Sequence, residues 1–182
     1  MRHILLTGPP GIGKTSLVKK IIENMKMSQI ECDGFYTEEV RNNNTRIGFD
    51  IISLDGNKRA VLARKLQGRN HQQDPNMPSV GQYSVYLDNF EKLALPVFKQ
   101  PKSLLIIDEI GKMELFSRKF EGHIRKVIID KNIRIIATVP LIGGPALVKQ
   151  LKDDPNCDVI LVNETNRDKL VAEIIGMLET NK

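Results

Sequence analysis

The stretch RHILLTGPPGIGKTSLVKKIIENMK, residues 2–26, joins three patterns that together decide the fold. Its first residues form a short apolar run followed by turn residues, which predicts a buried strand. Apolar side chains then recur at helical spacing from Leu17 to Met25 with lysines opposite them, which predicts an amphipathic helix. Between the two lies GPPGIGKT (8–15), a full match to the pattern G-x-x-x-x-G-K-[ST].

A glycine loop set between a strand and a helix is typical of phosphate binding. Glycines let the backbone wrap closely around an anion, and the positive end of the following helix adds to the attraction. The lysine suits the β- and γ-phosphates of a nucleotide, and the threonine hydroxyl suits Mg²⁺. A glycine turn before a lysine-headed helix is the alternative, which the strand and helix context argues against. The loop residues expected to contact the nucleotide are Gly8, Pro9, Pro10, Gly11, Ile12, Gly13, Lys14 and Thr15.

Length and composition narrow the class of protein. The chain has 182 residues, and we expect residues 1–182 to form a single domain with its own core. The net charge of +5 comes from interspersed basic residues, so nucleic-acid binding is not indicated. Cys32 and Cys157 lack metal-ligand spacing, which favours a reducing compartment. With no apolar stretch of roughly 18 residues and no secretory signal, we expect a cytoplasmic protein without a membrane partner. Separately, we expect a monomer.

The rest of the chain alternates strand and helix patterns. Continuous apolar runs at 103–108, 133–139 and 157–162 are separated by amphipathic segments. This order predicts a mainly parallel sheet with helices on both faces. Residues 34–56 predict an antiparallel hairpin added to one side, and the aperiodic stretch 67–82 predicts a mobile loop. The predicted fold class is therefore an α/β P-loop NTPase domain.

The segment LLIIDEIGKMEL (104–115) places acidic residues at the tip of a buried strand. Ligands of parallel sheets bind beyond the C-terminal strand ends, so Asp108 is expected to hold Mg²⁺ together with Thr15. Two adjacent acids could instead be solvated loop residues or helix caps. Either Glu109 or Glu114 can orient or deprotonate a water aligned on the γ-phosphate, and the sequence does not decide between them.

Basic residues near these motifs are candidates for stabilising the transition state. Lys112 precedes a helix predicted over 114–130, where it opposes the helix dipole, so we expect it to neutralise charge on the γ-phosphate. A solvated loop lysine is the alternative. Arg41 and Arg46 flank the hairpin turn, and we expect them to be solvated and to affect kcat less than Lys112. The alternative is that one of them folds over the phosphates. Thr138, at another strand end, either senses the γ-phosphate, fixes the attacking water or bonds to backbone.

The segment NETNRD (163–168) follows the last predicted strand, where nucleotide bases often dock. It half-matches the guanine-binding pattern [NT]-K-x-D, because Asn166 replaces the lysine, so guanine selectivity is not expected. Asn163 and Arg167 are expected to contact a base by hydrogen bonding and stacking. Alternatively, Asn163, Thr165 or Asn166 caps the last helix.

These motifs together resemble the THEP1-type nucleoside-triphosphatase family from the first strand to the last helix. GFYTEEVR (34–41) and DEIGKMEL (108–115) are far more specific to it than the P-loop. The resemblance implies a small Mg²⁺-dependent enzyme that hydrolyses several nucleoside triphosphates (ATP, GTP, CTP and UTP) to diphosphates. It also implies a fold related to nucleotide kinases and AAA-type ATPases. The residues in matching positions are Lys14, Thr15, Asp108, Glu109, Lys112 and Glu114.

Two other functions are compatible with a P-loop. A nucleoside or polynucleotide kinase would need an acceptor pocket and a basic lid, and residues 67–80 offer Arg69 and His71 but no arginine-rich pattern. A non-enzymatic nucleotide switch would need no base, whereas Glu109 and Glu114 argue for turnover. We therefore expect hydrolysis, with Lys14, Glu109, Lys112 and Glu114 as the catalytic set.

Overall fold

A computed structural model describes residues 2–65 and 77–179, and this part of the chain forms a nine-stranded sheet flanked by α-helices. The strands are β1 His3–Thr7, β2 Asp33–Asn42, β3 Thr45–Ser53, β4 Arg59–Lys65, β5 Ser79–Val80, β6 Tyr83–Val85, β7 Leu104–Ile107, β8 Arg134–Thr138 and β9 Cys157–Leu161. The helices are α1 Lys14–Met27, α2 Leu87–Ala94, α3 Arg118–Ile128, α4 Ala146–Asp153 and α5 Leu170–Glu179. Within these described ranges, every helix is too short or too polar to cross a bilayer.

The strand order is β5-β6-β4-β3-β2-β7-β8-β1-β9. From β2 to β9 all neighbours in this order pair in parallel. Strand β8 lies between β1 and β7, with Ile136 in register with both Ile4 and Ile106. The C-terminal ends of β7, β8, β1 and β9 therefore meet at one edge of the sheet, where α/β proteins bind ligands.

The predicted α/β P-loop fold is confirmed, but its antiparallel part is larger than a hairpin. The predicted hairpin is β2–β3, and its turn residues Asn43 and Asn44 have φ values of 46° and 61°. Such left-handed conformations suit asparagine in tight hairpin turns. Strands β4, β6 and β5 then continue the sheet with antiparallel pairing. Of the predicted loop at 67–82, residues 67–76 lie outside the described ranges, and 79–80 form β5.

Helices cover both faces of the sheet, as the sequence predicts. Leu5 packs into a cluster with residues of α2, α3 and α4, whereas its neighbours Ile4 and Leu6 pack into a second cluster with α1 and α5. This alternation follows from the opposite directions of successive side chains on a strand. A parallel core strand such as β1 is thus buried on both sides, which explains its continuous apolar run.

The helix predicted over 114–130 is wrong at its start. A short 3₁₀ turn spans Glu114–Phe116, and α3 begins only at Arg118. Ser117 separates the two, because its hydroxyl accepts a hydrogen bond from the Phe120 N–H (3.1 Å) and caps α3. Lys112 therefore lies in a turn rather than at a helix start, and the dipole argument for it does not hold.

Candidate active site

The loop after β1 has a backbone that only glycine accommodates easily. Gly11 and Gly13 have φ values of 79° and 103°, and a Cβ on Gly8 would come within 2.6 Å of the Val162 carbonyl oxygen. Gly13 is the residue before α1, which has no side-chain cap and no acidic residue in its first turn. The N–H groups at this helix end are thus available to an anion.

Lys14 lies over this loop rather than away from it. Its Nζ donates to the carbonyl oxygens of Gly8 (2.9 Å) and Pro9 (3.2 Å). The ammonium group is therefore held in the cleft beside the loop, where the motif predicts that the β- and γ-phosphates bind. An entering phosphate oxygen would replace two neutral acceptors with a charged one.

Asp108 directly follows β7, and residues of α1, β8 and β2 contact its carboxylate. Its carboxylate accepts hydrogen bonds from Thr15 Oγ1 (2.8 Å), from Thr138 Oγ1 (2.5 Å) and from the Thr37 N–H. The residue is only 2% exposed, and this burial raises the pKa of the carboxyl, while the three hydrogen bonds and Lys14 oppose the rise. Thr138 thus positions Asp108, and Thr37 is a contact that the sequence analysis missed.

The Thr15–Asp108 pair has the chemistry of a magnesium site. Hydroxyl and carboxylate oxygens are the hard donors that Mg²⁺ prefers, and Mg²⁺ usually takes one or two carboxylates together with substrate phosphates. The two oxygens lie 2.8 Å apart beside the phosphate loop, and the buried carboxylate would gain from a neighbouring cation. The residues present therefore fit the metal that the sequence analysis expects.

Glu109 and Glu114 converge on Gly111. The Gly111 N–H donates to Glu114 Oε2 (3.1 Å), and a Cβ on Gly111 would lie 2.9 Å from Glu109 Oε1 and 3.0 Å from Glu114 Oε2. Burial raises the pKa of Glu109 to about 7 and that of Glu114 to about 8, with Asp108 adding to the first and Glu109 to the second. Carboxyl groups with a pKa near neutral pH are suited to proton transfer.

Two cavities adjoin at Glu109. A cleft of about 470 Å³ is lined by the phosphate loop, Asp108 and Glu109, and also by Arg41 and Arg46 of the hairpin. A second cavity of about 260 Å³ is lined by Glu109, Lys112 and Glu114, and it shares Thr37 and Phe49 with the cleft. The structure thus places Lys112 beside the two glutamates, and the hairpin arginines beside the phosphate loop rather than away from the site.

The segment 163–168 lies against the phosphate loop on the β9 side. Asn163 Oδ1 accepts from the N–H groups of Thr165 (2.9 Å) and Asn166 (3.0 Å), which fixes the turn that precedes α5. Helix α5 begins only at Leu170, so these bonds do not cap it. Arg167 Nη1 lies 3.4 Å from the Ile12 carbonyl oxygen, and Arg167 lines a cavity of about 270 Å³ next to Gly13. Of the two predicted base contacts, Arg167 lines a cavity beside the phosphate loop.

The substitution Glu114→Gln should make the free energy of unfolding less dependent on pH. Because the pKa of Glu114 is raised from 4.5 to about 8, the folded protein keeps a proton that the unfolded chain loses. This stability is full below the unfolded pKa and is lost as pH rises toward the folded pKa. Glutamine cannot ionise and still offers an oxygen to the Gly111 N–H, so the variant should lack a decline on the order of 1 kcal/mol or more.

Urea unfolding of both proteins at about pH 5 and about pH 8.5 measures this difference. Equal losses of stability in the variant and the original protein would show that Glu114 is not protonated in the folded state.

The similarity of this chain to known proteins covers nearly its whole length. A family model described as NTPase matches residues 3–175. The mouse cancer-related nucleoside-triphosphatase homolog is 41% identical and matches 100% of this chain and 98% of its own length. The crystal structure of THEP1 from Aquifex aeolicus has a TM-score of 0.82 at 37% identity, covering 97% of this chain and 99% of that one. The solution structure of a human cancer-related nucleoside triphosphatase has a TM-score of 0.82 at 39% identity over 100% of both chains.

Proposed function

The chain belongs to the THEP1-type nucleoside-triphosphatase family, and from this premise we propose that it hydrolyses nucleoside triphosphates in a Mg²⁺-dependent reaction with loose base selectivity. It is a nucleoside-triphosphatase, as its relatives over the full chain are. Substrates would be ATP, GTP, CTP and UTP, and the products a nucleoside diphosphate and phosphate.

The observation that carries this proposal is the convergence of Lys14, the Thr15–Asp108 pair and Glu109 on one cleft. Phosphoryl transfer requires little covalent chemistry from the protein, so positioning and charge neutralisation supply most of the rate. The loop N–H groups and Lys14 would hold the β- and γ-phosphates. Thr15 and Asp108 would hold Mg²⁺, which would supply charge neutralisation for the phosphates.

The glutamates would act on the attacking water. A bond forms between the water oxygen and the γ-phosphorus as the bond from that phosphorus to the bridging oxygen breaks. The water proton passes to a carboxylate, for which Glu109 lines the cleft directly and Glu114 lies behind it at Gly111. Lys112 lines the same cavity as both glutamates, and its charge would neutralise the γ-phosphate.

Base selectivity should be loose because nothing in segment 163–168 is arranged as a guanine reader. Asn166 stands where the pattern has lysine, and its Nδ2 donates to the Leu161 carbonyl oxygen at 2.7 Å. Asp168, the acidic residue of the pattern, pairs with Lys20 at 3.6 Å. Arg167 can stack on any base.

One experiment tests the function together with its selectivity. Release of phosphate and of the nucleoside diphosphate would be measured for ATP, GTP, CTP and UTP. Each assay would be run with Mg²⁺ and with EDTA, and without any phosphate acceptor. We expect comparable kcat/KM values with Mg²⁺ and background turnover with EDTA. Preference for one base by about 10⁴ would reveal a hydrogen-bonding base pocket. Turnover only after adding an acceptor would indicate a kinase, and binding without turnover would indicate a switch.

A further inference from the structure

Two arginines lie opposite each other near the end of the β2–β3 hairpin. Arg41 pairs with Arg46 in the ladder, and the register shifts between Val40 and Arg41. Both arginines line the same cleft as Lys14 and Thr15. The hairpin therefore brings guanidinium groups to the cleft that is expected to bind the triphosphate.

The two guanidinium groups share one carboxylate but are held differently. Arg41 donates to Glu39 Oε2 from Nε (3.0 Å) and Nη2 (2.7 Å), and to the Asn44 carbonyl oxygen from Nη1 (3.0 Å). Arg46 donates to Glu39 Oε1 from Nη2, and its guanidinium lies 5.4 Å from the centroid of the Phe49 ring. Arg41 is thus fixed by backbone and carboxylate together, whereas Arg46 is held by the carboxylate and a ring face.

The charges of this cluster favour a second anion. Arg41 and Arg46 share the single carboxylate of Glu39. Glu38, which also lines the cleft, is already paired with Lys19 and Arg59 and does not offset the second guanidinium. The hairpin side of the cleft therefore keeps an excess positive charge. The Arg46 side chain is 42% exposed, and ion pairs at such positions hold weakly. A triphosphate carries more charge than Glu39, and its oxygens match the planar fork of arginine.

We propose that Arg46 leaves Glu39 when a triphosphate binds and contacts the γ-phosphate, while Arg41 retains Glu39. This inference rests on the proposed function, because it names a further residue of the same site. Arg46 then supplies from within the chain the cation that other P-loop enzymes take from an arginine finger. It also distinguishes a triphosphate from the diphosphate product, which has no γ-phosphate. The expected ranking of Lys112 above Arg46 is thereby reversed.

The test compares Arg46→Ala with Arg125→Ala. Arg125 is a matched control, since its side chain is 46% exposed and binds a carboxylate, Glu121, but on α3 and away from the cleft. We expect Arg46→Ala to lower kcat by about 10³-fold, the lower end of arginine-finger effects. Its Kd for a non-hydrolysable ATP analogue should rise, with the Kd for ADP unchanged. A kcat equal to that of the Arg125→Ala control would overturn the inference, as would an equal loss of affinity for both nucleotides.

Two further variants keep the inference testable if Arg46→Ala folds poorly. Glu39→Gln removes the competing partner of Arg46, so affinity for the ATP analogue should increase while affinity for ADP stays the same. A purely structural Glu39–Arg46 pair predicts no gain. Arg46→Lys keeps the charge without the fork and should recover only part of the lost kcat. If Lys14→Ala abolishes turnover but these variants behave as the control does, only this inference fails, and the proposed function stands.

Discussion

Replacing Lys14 by alanine is expected to lower kcat/KM by about 10³-fold or more, which would make turnover undetectable in an ordinary assay. The ammonium group is already held in the phosphate cleft by the Gly8 and Pro9 carbonyl oxygens, so its charge is in place before substrate arrives. Loss of that charge removes a contact to the β- and γ-phosphates that the neutral loop N–H groups do not replace. Triphosphate affinity should fall with the rate, because this contact forms in the ground state as well.

The measurement is phosphate release and the Kd for a non-hydrolysable ATP analogue, with thermal unfolding to confirm the fold. Lys26→Ala is the control, since Lys26 is an exposed lysine in the last turn of the same helix α1. It should keep full activity. A folded Lys14→Ala protein with normal hydrolysis would place the active site outside this cleft.

Much of the fold can be predicted because its central strands are buried on both faces. Leu104–Ile107 and Arg134–Thr138 are continuous buried runs, and such runs between amphipathic helices have few other solutions. The antiparallel extension was only partly predictable, because β5 and β6 have two and three residues, too few for alternation to show. The false helix start at Glu114 has a local cause, since a serine cap at Ser117 interrupts an otherwise helical pattern.

The positions of some site residues could likewise be predicted from the sequence, whereas those of others could not. The meeting of Thr15 with Asp108 could be predicted, because the glycine-loop motif and the strand end together fix where these side chains lie. Thr37 and Arg46 could not be placed, because their positions depend on β2 being the neighbour of β7 and on the register of the hairpin. Strand neighbours are set by the packing of the whole domain rather than by local sequence. The structure therefore adds most to the sequence prediction on the hairpin side of the cleft.

The second large effect is expected for the two glutamates, and it follows from how Gly111 brings them together. The carboxylate oxygens of Glu109 and Glu114 lie 2.9 Å and 3.0 Å from the point that a Cβ on Gly111 would occupy, so a larger residue there would push Glu109 aside and crowd Glu114. Glu109 lines the cleft, whereas Glu114 is 4% exposed and accepts a hydrogen bond from the Gly111 N–H. We therefore expect Glu109 to take the proton of the attacking water. Glu114 lies behind Glu109, with its carboxylate close to Gly111 as well.

Glu109→Gln and Glu114→Gln should each lower kcat by about 10²–10⁴, the range of a lost general base. Both should leave the Kd for an ATP analogue nearly unchanged, because neither carboxylate donates a hydrogen bond to phosphate when ionised. The measurements are kcat and that Kd for each variant and for Glu121→Gln, an α3 control whose carboxylate pairs with Arg118 and Arg125 outside the cleft. If Glu109 alone contacts the water, only its variant should lose the pH dependence of kcat that reports the base. Near-full turnover in both folded variants would leave hydrolysis to Lys14, the metal and the cations around the γ-phosphate, and would remove the carboxylates from the mechanism.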